Sequence, residues 1–218
     1  MFDIQFCKWW IFQLLAALSM LPSGLSAPLI RRANPCFVTG TVALPAEVSE
    51  GLPALEAAPV TCNTAVKLFK NYPFHDRVAH EMQVEVAPGV PDISSGGIDY
   101  STIDFQKSSL SPLGFALQTF TTPEDPADAD LTTLQNQLND YLALEAGVRS
   151  QPDSSALLSK LKGPKFFLQF QIARVNTANG VQLDAANTVS HQLTKVTANA
   201  VGATSAELAQ VTALSTQV

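Results

Sequence analysis

A change of hydrophobic period near residue 110 limits this chain's fold more than any other feature. Beyond that point apolar residues recur every three or four positions, the signature of amphipathic helices. Before it they fall in short runs broken by proline and glycine, the signature of strands and turns. The spacing therefore predicts an α+β fold, with an N-terminal β-rich part packed on a C-terminal bundle of four to five helices. Charged residues make up 15% of the chain and hydrophobic residues 46%. Disordered chains have the opposite balance. The net charge of −6 also argues against a nucleic-acid partner, which needs a basic footprint.

Helix boundaries are marked by capping residues. Ser111-Pro112 reads as an N-cap followed by Pro at N1, opening a short helix through Phe120. An acidic, Pro-containing loop covers 121–130, and Asp130 caps a helix whose stripe runs Leu131, Leu134, Leu138, Tyr141, Leu142 and Glu145. Ala156 to Leu161 reads as a short helical turn stopped by Gly163-Pro164. Residues 165–175 fit strand and helix patterns alike; Pro164 at N1 and the helical neighbours favour helix. Asp184 is expected to cap a helix carrying Val189, Leu193, Val196 and Ala200, with Gly202 ending it. Thr204 and Glu207 have capping-box spacing for a last helix.

In the first half, residues 36–44 and 60–69 are the strand candidates. Pro45, Pro53 and Pro59 argue against one regular helix between them. Gly96-Gly97 marks a turn. The apolar phase then slips between Ile98/Tyr100 and Ile103/Phe105, which predicts a bulge or bend near Ser101–Thr102.

The N-terminus has the layout of a leader. Lys8 precedes a mostly apolar run at 9–21, closed by Pro22. That run is too short for a spanning helix of about 20 residues and fits a signal peptide over 1–26. Gly24 and Ser26 place small side chains at −3 and −1 for cleavage after Ser26. The pair Arg31-Arg32 would end a short propeptide over 27–32, leaving one secreted domain over 33–218. The mature chain would be more acidic than the full one, and no membrane contact is expected after cleavage. The expected location is extracellular.

Secretion changes the meaning of the cysteines. Cys7 lies in the leader, so Cys36 and Cys62 remain, and in an oxidising compartment they are expected to pair. Such a bond closes a loop of about 27 residues and stabilises by roughly 3–4 kcal/mol in the chain-entropy picture. No Asn-x-Ser/Thr sequon is present.

Residues 67–86 differ in composition from their Ala-, Thr- and Ser-rich flanks, and read as a surface insertion or translated intron sequence. His75, His80, Glu81 and Glu85 within them could supply metal ligands only if the segment were helical, and Pro73 argues against that. Glu124, Asp125, Asp128 and Asp130 lack the glycine turn of a calcium loop. Glu145, His191 and Glu207 are too few for a di-iron bundle. Asp99, Tyr100, Asp104 and Lys107 read as exposed polar surface. No G-x-S-x-G elbow occurs. No catalytic, cofactor-binding or metal residue is therefore assigned, and no cofactor is expected.

Several stretches resemble an uncharacterised group of small secreted fungal proteins. These are PCFVTGTVALPAEV (35–48), VTCNT (60–64), PGVPD (88–92) with SGG (95–97), and FALQTF (115–120). LQNQL (134–138), YLALEAG (141–147), PKFF (164–167) and FQIARV (170–175) follow. The resemblance implies one secreted domain of unknown function and supplies no catalytic residues. The group's pattern runs more directly from near Ala65 to Pro88, so 67–86 departs from it. The functional expectation is a secreted, non-enzymatic protein that binds a cell-wall or host partner. The alternatives are a secreted hydrolase with a dispersed carboxylate site, or a carrier of a small apolar ligand beside 166–172.

Overall fold

The computed structural model describes residues 35–58, 60–63 and 84–218. Ser26, Arg31, Arg32, His75, His80, Glu81 and most of 67–86 lie outside them. The fold is α+β: a small antiparallel sheet in the N-terminal part and five helices after residue 110.

Residues 36–44 form no strand, contrary to the β-branched composition. They run as turns and bends, held by a core side chain and by backbone bonds to Ser150 rather than by strand pairing. Phe37 is buried in the core, the Val42 amide donates to the Ser150 carbonyl at 2.9 Å, and the Gly40 amide donates to Ser150 Oγ at 2.9 Å. Two short helices follow, α1 (Ala46–Ser49) and α2 (Leu52–Ala57). Pro45 sits at the N-cap of the first and Pro53 in the first turn of the second, where a missing N–H costs nothing.

Strand β1 (Val60–Asn63) is the described part of the second strand candidate. Strands β2 (Glu85–Ala87), β3 (Val90–Ser95) and β4 (Ile98–Asp99) complete the sheet. All pairings are antiparallel: β3 is central, with β1 on one edge, and β2 and β4 pair with it as well. The Cys36–Cys62 disulfide, with Cα atoms 6.0 Å apart, ties the first loop to β1.

Strand β3 is buried along its whole length, yet its sequence Val-Pro-Asp-Ile-Ser-Ser carries no strand signal. Pro91 cannot donate to a ladder. A register shift in β2 between Glu85 and Ala87, opposite Pro91, absorbs that defect. Gly96 and Gly97, at φ +58° and +84°, form the turn into β4. A Cβ on Gly96 would lie 2.1 Å from the Asn136 amide, so the turn needs glycine for space as well as for torsion. The predicted bend after Tyr100 is a 3-10 turn over Tyr100–Thr102.

Helix α3 (Pro112–Thr119) is capped by Ser111, which accepts from the Gly114 amide. Helix α4 (Leu131–Ser150) is capped by Asp130, which accepts from the Thr133 amide. Helix α5 runs unbroken from Ser155 to Ala178, with Pro164 inside it. The expected break at Gly163-Pro164 does not occur. An interior proline costs about 3 kcal/mol. Around it, however, Leu161, Phe167, Leu168 and Phe170 are fully buried, each contributing roughly 1.5–3 kcal/mol. Gly163 lets Pro112 of α3 close in: a Cβ there would meet the Pro112 Cβ at 3.2 Å.

Helix α6 (Val189–Ala198) is capped by Thr188. Asp184 instead caps the preceding turn, accepting from the Ala186 and Asn187 amides. Helix α7 (Ser205–Leu214) begins with the expected capping box of Thr204 and Glu207. Helix α5 is the hub, packed on α3, α4 and α6, and α4 covers β3.

The clasp at Gly40 gives a direct test of the N-terminal segment's role. A Cβ on Gly40 would sit 1.9 Å from the Ser150 carbonyl oxygen, and that backbone cannot yield without moving the end of α4. Gly40→Ala is expected to cost about 1–3 kcal/mol, read as a lower urea midpoint with an unchanged m-value.

Candidate functional site

Helix α4 presents two buried carboxyls to different surroundings. Glu145 faces α5, and Asp140 faces the sheet. They are five positions apart, so they project from different sides of the helix.

Glu145 is fully used. Its Oε2 accepts from Lys165 Nζ of α5 at 2.5 Å, and its Oε1 accepts from Arg149 Nε and Nη2 at 3.0 and 2.8 Å. Burial alone would raise this carboxyl, but Lys165 and Arg149 hold it below its ordinary value. Lys195 of α6 completes the group. Its Nζ donates to Gln169 Oε1 at 3.3 Å and lies 4.6 Å from the centre of the Phe166 ring, as Lys165 Nζ does. Burial, then the nearby Lys165, push the Lys195 ammonium down, with Glu145 opposing. Phe166 and Lys195 are half-buried, so the group reaches the surface between α5 and α6.

Asp140 is the reverse case. Its side chain is wholly buried, and neither oxygen has a hydrogen-bond partner. Burial pushes its pKa up to about 9, with Asp92 and Asp99 adding to the rise. Those two are themselves engaged: Asp92 Oδ1 accepts from the Ile93 and Ser101 amides, and Asp99 Oδ1 accepts from Asn63 Nδ2 at 2.8 Å. Asp140 is therefore a neutral acid at pH 7 with no route to solvent.

The polar segment expected at the surface is mostly inside. Tyr100 is fully buried, and Asp104 is buried with it. The Tyr100 hydroxyl donates to Asp104 Oδ1 at 3.1 Å, and its ring meets Tyr141 edge-on at 5.2 Å. The alternation of Ile98 with Tyr100 and of Ile103 with Phe105 did not reveal that Asp104 is buried too: it caps the second 3-10 turn, Phe105–Lys107, accepting from the Gln106 amide. Lys107 is exposed, as expected.

The remaining candidates are dispersed. Glu85 accepts from the Gly89 amide in the β2–β3 turn. Asp125 caps a 3-10 turn, and Asp130 caps α4. His191 is exposed on α6. Glu207 binds Ser111 Oγ and the Thr204 amide, far in function from Glu145. Among the described residues, no three His, Cys, Asp or Glu side chains are grouped so as to hold a metal ion. None of the described helices is long and apolar enough to cross a membrane. Open clefts are present among the described residues. One, of about 380 Å³, is lined by Phe105, Leu110, Leu157 and Lys160 among others. The second, of about 580 Å³, is lined by Val181, Leu183, Val189 and Leu193 with polar neighbours. Neither is lined by an Asp or Glu side chain or reaches 166–172, where Phe167, Leu168 and Phe170 are buried.

A family model described as a domain of unknown function, DUF7143, matches residues 74–218. The chain belongs to this family. No curated protein matches the chain, and no solved structure matches it. The DUF7143 stretch takes in β2 to α7, and with them Asp140, Glu145, Lys165 and Lys195. It begins inside 67–86 and leaves out both disulfide cysteines.

Sequence reasoning missed Asp140, Lys165, Arg174 and Lys195. One signal was available: Glu145 stands on an otherwise apolar stripe, and a charge there requires a buried partner. Arg174 is 1% exposed and donates to Gln171, Thr122 and the Gln217 carbonyl, a structural tie that holds the C-terminal turn.

Proposed function

We propose that the chain is a secreted, non-enzymatic protein that binds a cell-wall or host component outside the cell. One observation supports this reading over a hydrolase. The carboxyl with a strongly raised pKa is sealed inside the fold, away from the clefts at Phe105–Lys160 and Val181–Leu193, whose linings hold no Asp or Glu side chain. A general acid must reach its substrate's proton within hydrogen-bond distance, and Asp140 cannot. The Cys36–Cys62 bond fits an oxidising compartment, and the apolar run at 9–21 fits a leader. The close packing at 167–170 favours binding at the surface over carriage of an apolar ligand inside.

The test is expression of the full chain in a secreting host, followed by intact-mass measurement and cosedimentation with purified wall polysaccharide. The expected result is a medium-borne chain starting at residue 27 or 33, with the disulfide formed, that sediments with the polymer without cleaving it. Retention in the cell with free Cys36 and Cys62 thiols would refute secretion. Release of reducing ends would favour the hydrolase.

A further inference from the structure

We propose that Lys195, held beside the Lys165–Glu145–Arg149 ion pair by the Phe166 ring that it shares with Lys165, binds a ligand's oxyanion, a carboxylate or phosphate. The choice of an acidic extracellular polymer as its carrier rests on the binding function proposed above.

Two cations here share one carboxylate, and a third stands beside them without one. Both Glu145 oxygens are taken, one by Arg149 and one by Lys165. Among the described residues Lys195 has no carboxylate partner. It is held by a neutral amide oxygen and by a ring that already faces Lys165. A ring face attracts a cation only modestly when water is near, and it does not cancel the repulsion of a second ammonium. The cluster thus carries excess positive charge in a chain of net charge −6. An oxyanion beside Lys195 would accept charge-assisted hydrogen bonds and relieve that repulsion. Lys165 is fixed and nearly closed off, with its side chain 9% exposed. Arg149 is turned onto Glu145 with its side chain 19% exposed, so the half-buried Lys195 is the cation left to meet a ligand. Packing of α5 against α4 and α6 sets Lys195 beside Lys165 across the Phe166 ring.

The full disulfide-bonded chain would be titrated with inorganic phosphate at fixed ionic strength and followed by NMR. Expected are shifts concentrated at the Phe166, Gln169 and Lys195 amides, with the Lys195 ammonium pKa rising as phosphate binds. Lys195→Gln should weaken binding about tenfold or more, Lys195→Arg should largely restore it, and Lys107→Gln should leave it unchanged. Thermal unfolding of each variant checks that the fold is retained. Shifts spread over the exposed lysines, equal in Lys195→Gln, would overturn the site.

A second arm separates the sources, using a polyuronate and an uncharged glucan. Loss of polyuronate binding alone in Lys195→Gln supports the acidic polymer as carrier. If that variant binds both polymers and phosphate normally, the site is wrong while extracellular binding stands. If the wild type binds phosphate at Lys195 but neither polymer, the oxyanion site holds and the acidic-polymer carrier falls.

Discussion

Asp140→Asn should make the protein more stable at pH 7 and leave it unchanged near pH 4. Asp140 holds its proton up to about pH 9 in the fold, whereas an unfolded chain releases it near the ordinary aspartate value. Between those limits the folded state binds the extra proton, so stability falls as pH rises, by about 1.4 kcal/mol per unit. At pH 7 the accumulated loss has an upper bound of about 4 kcal/mol, and the neutral amide would recover it. For a domain of this size that is a rise in Tm of up to roughly 8–16 °C. Circular-dichroism melts at pH 4 and pH 7 measure it directly. A gap of the same size at both pH values would show that packing, not protonation, sets the difference.

Breaking the other buried carboxyl's partnership should have the opposite sign. Lys165→Met leaves Glu145 buried with Arg149 alone, and removing one partner of a buried pair costs about 3–5 kcal/mol. Because Lys165 and Arg149 hold the Glu145 pKa below its ordinary value, that stability is present above the unfolded carboxylate pKa. It is lost as pH falls through the folded one. The penalty of Lys165→Met should therefore be full at neutral pH and shrink in acid. The double variant Glu145→Leu with Lys165→Met should recover most of the loss, since no charge then remains stranded. Denaturant unfolding of the two single variants and the double gives the coupling. A double variant as unstable as the sum of the singles would show that the two residues act independently.

These two predictions turn on Asp140 and Lys165, which the sequence did not single out, and the reason is physical. Caps are local: Ser111, Asp130 and Thr204 each bond an amide three positions on, so a short window reveals them. Burial is not local. Strand β3 reads as a loop because Pro91 and two serines dominate it, and only α4 lying across the sheet makes it interior. Asp140 looks like any exposed acid on a long helix until Asp92 and Asp99 are brought beneath it from the hairpin. The helix through Pro164 was obscured for the same reason, since the packing that outweighs a lost hydrogen bond comes from α3 and α4. The disulfide was legible because only two cysteines remain after the leader. The segment tied by it was misjudged, because Phe37 sinks into the core and the Gly40 and Val42 amides bond Ser150 instead of a neighbouring strand.

That anchoring bears on where the folding unit begins. The family match starts at residue 74, yet one compact unit extends from Asn34 to the C-terminus. Residues 60–63 occupy one side of the central strand. A chain started at the family boundary would leave that side of β3 with unpaired amides and carbonyls. It would also vacate the slot filled by Phe37. An open sheet edge invites pairing with another copy, so a fragment cut at the family boundary is expected to be aggregation-prone, and the N-terminal strap works as the sheet's guard.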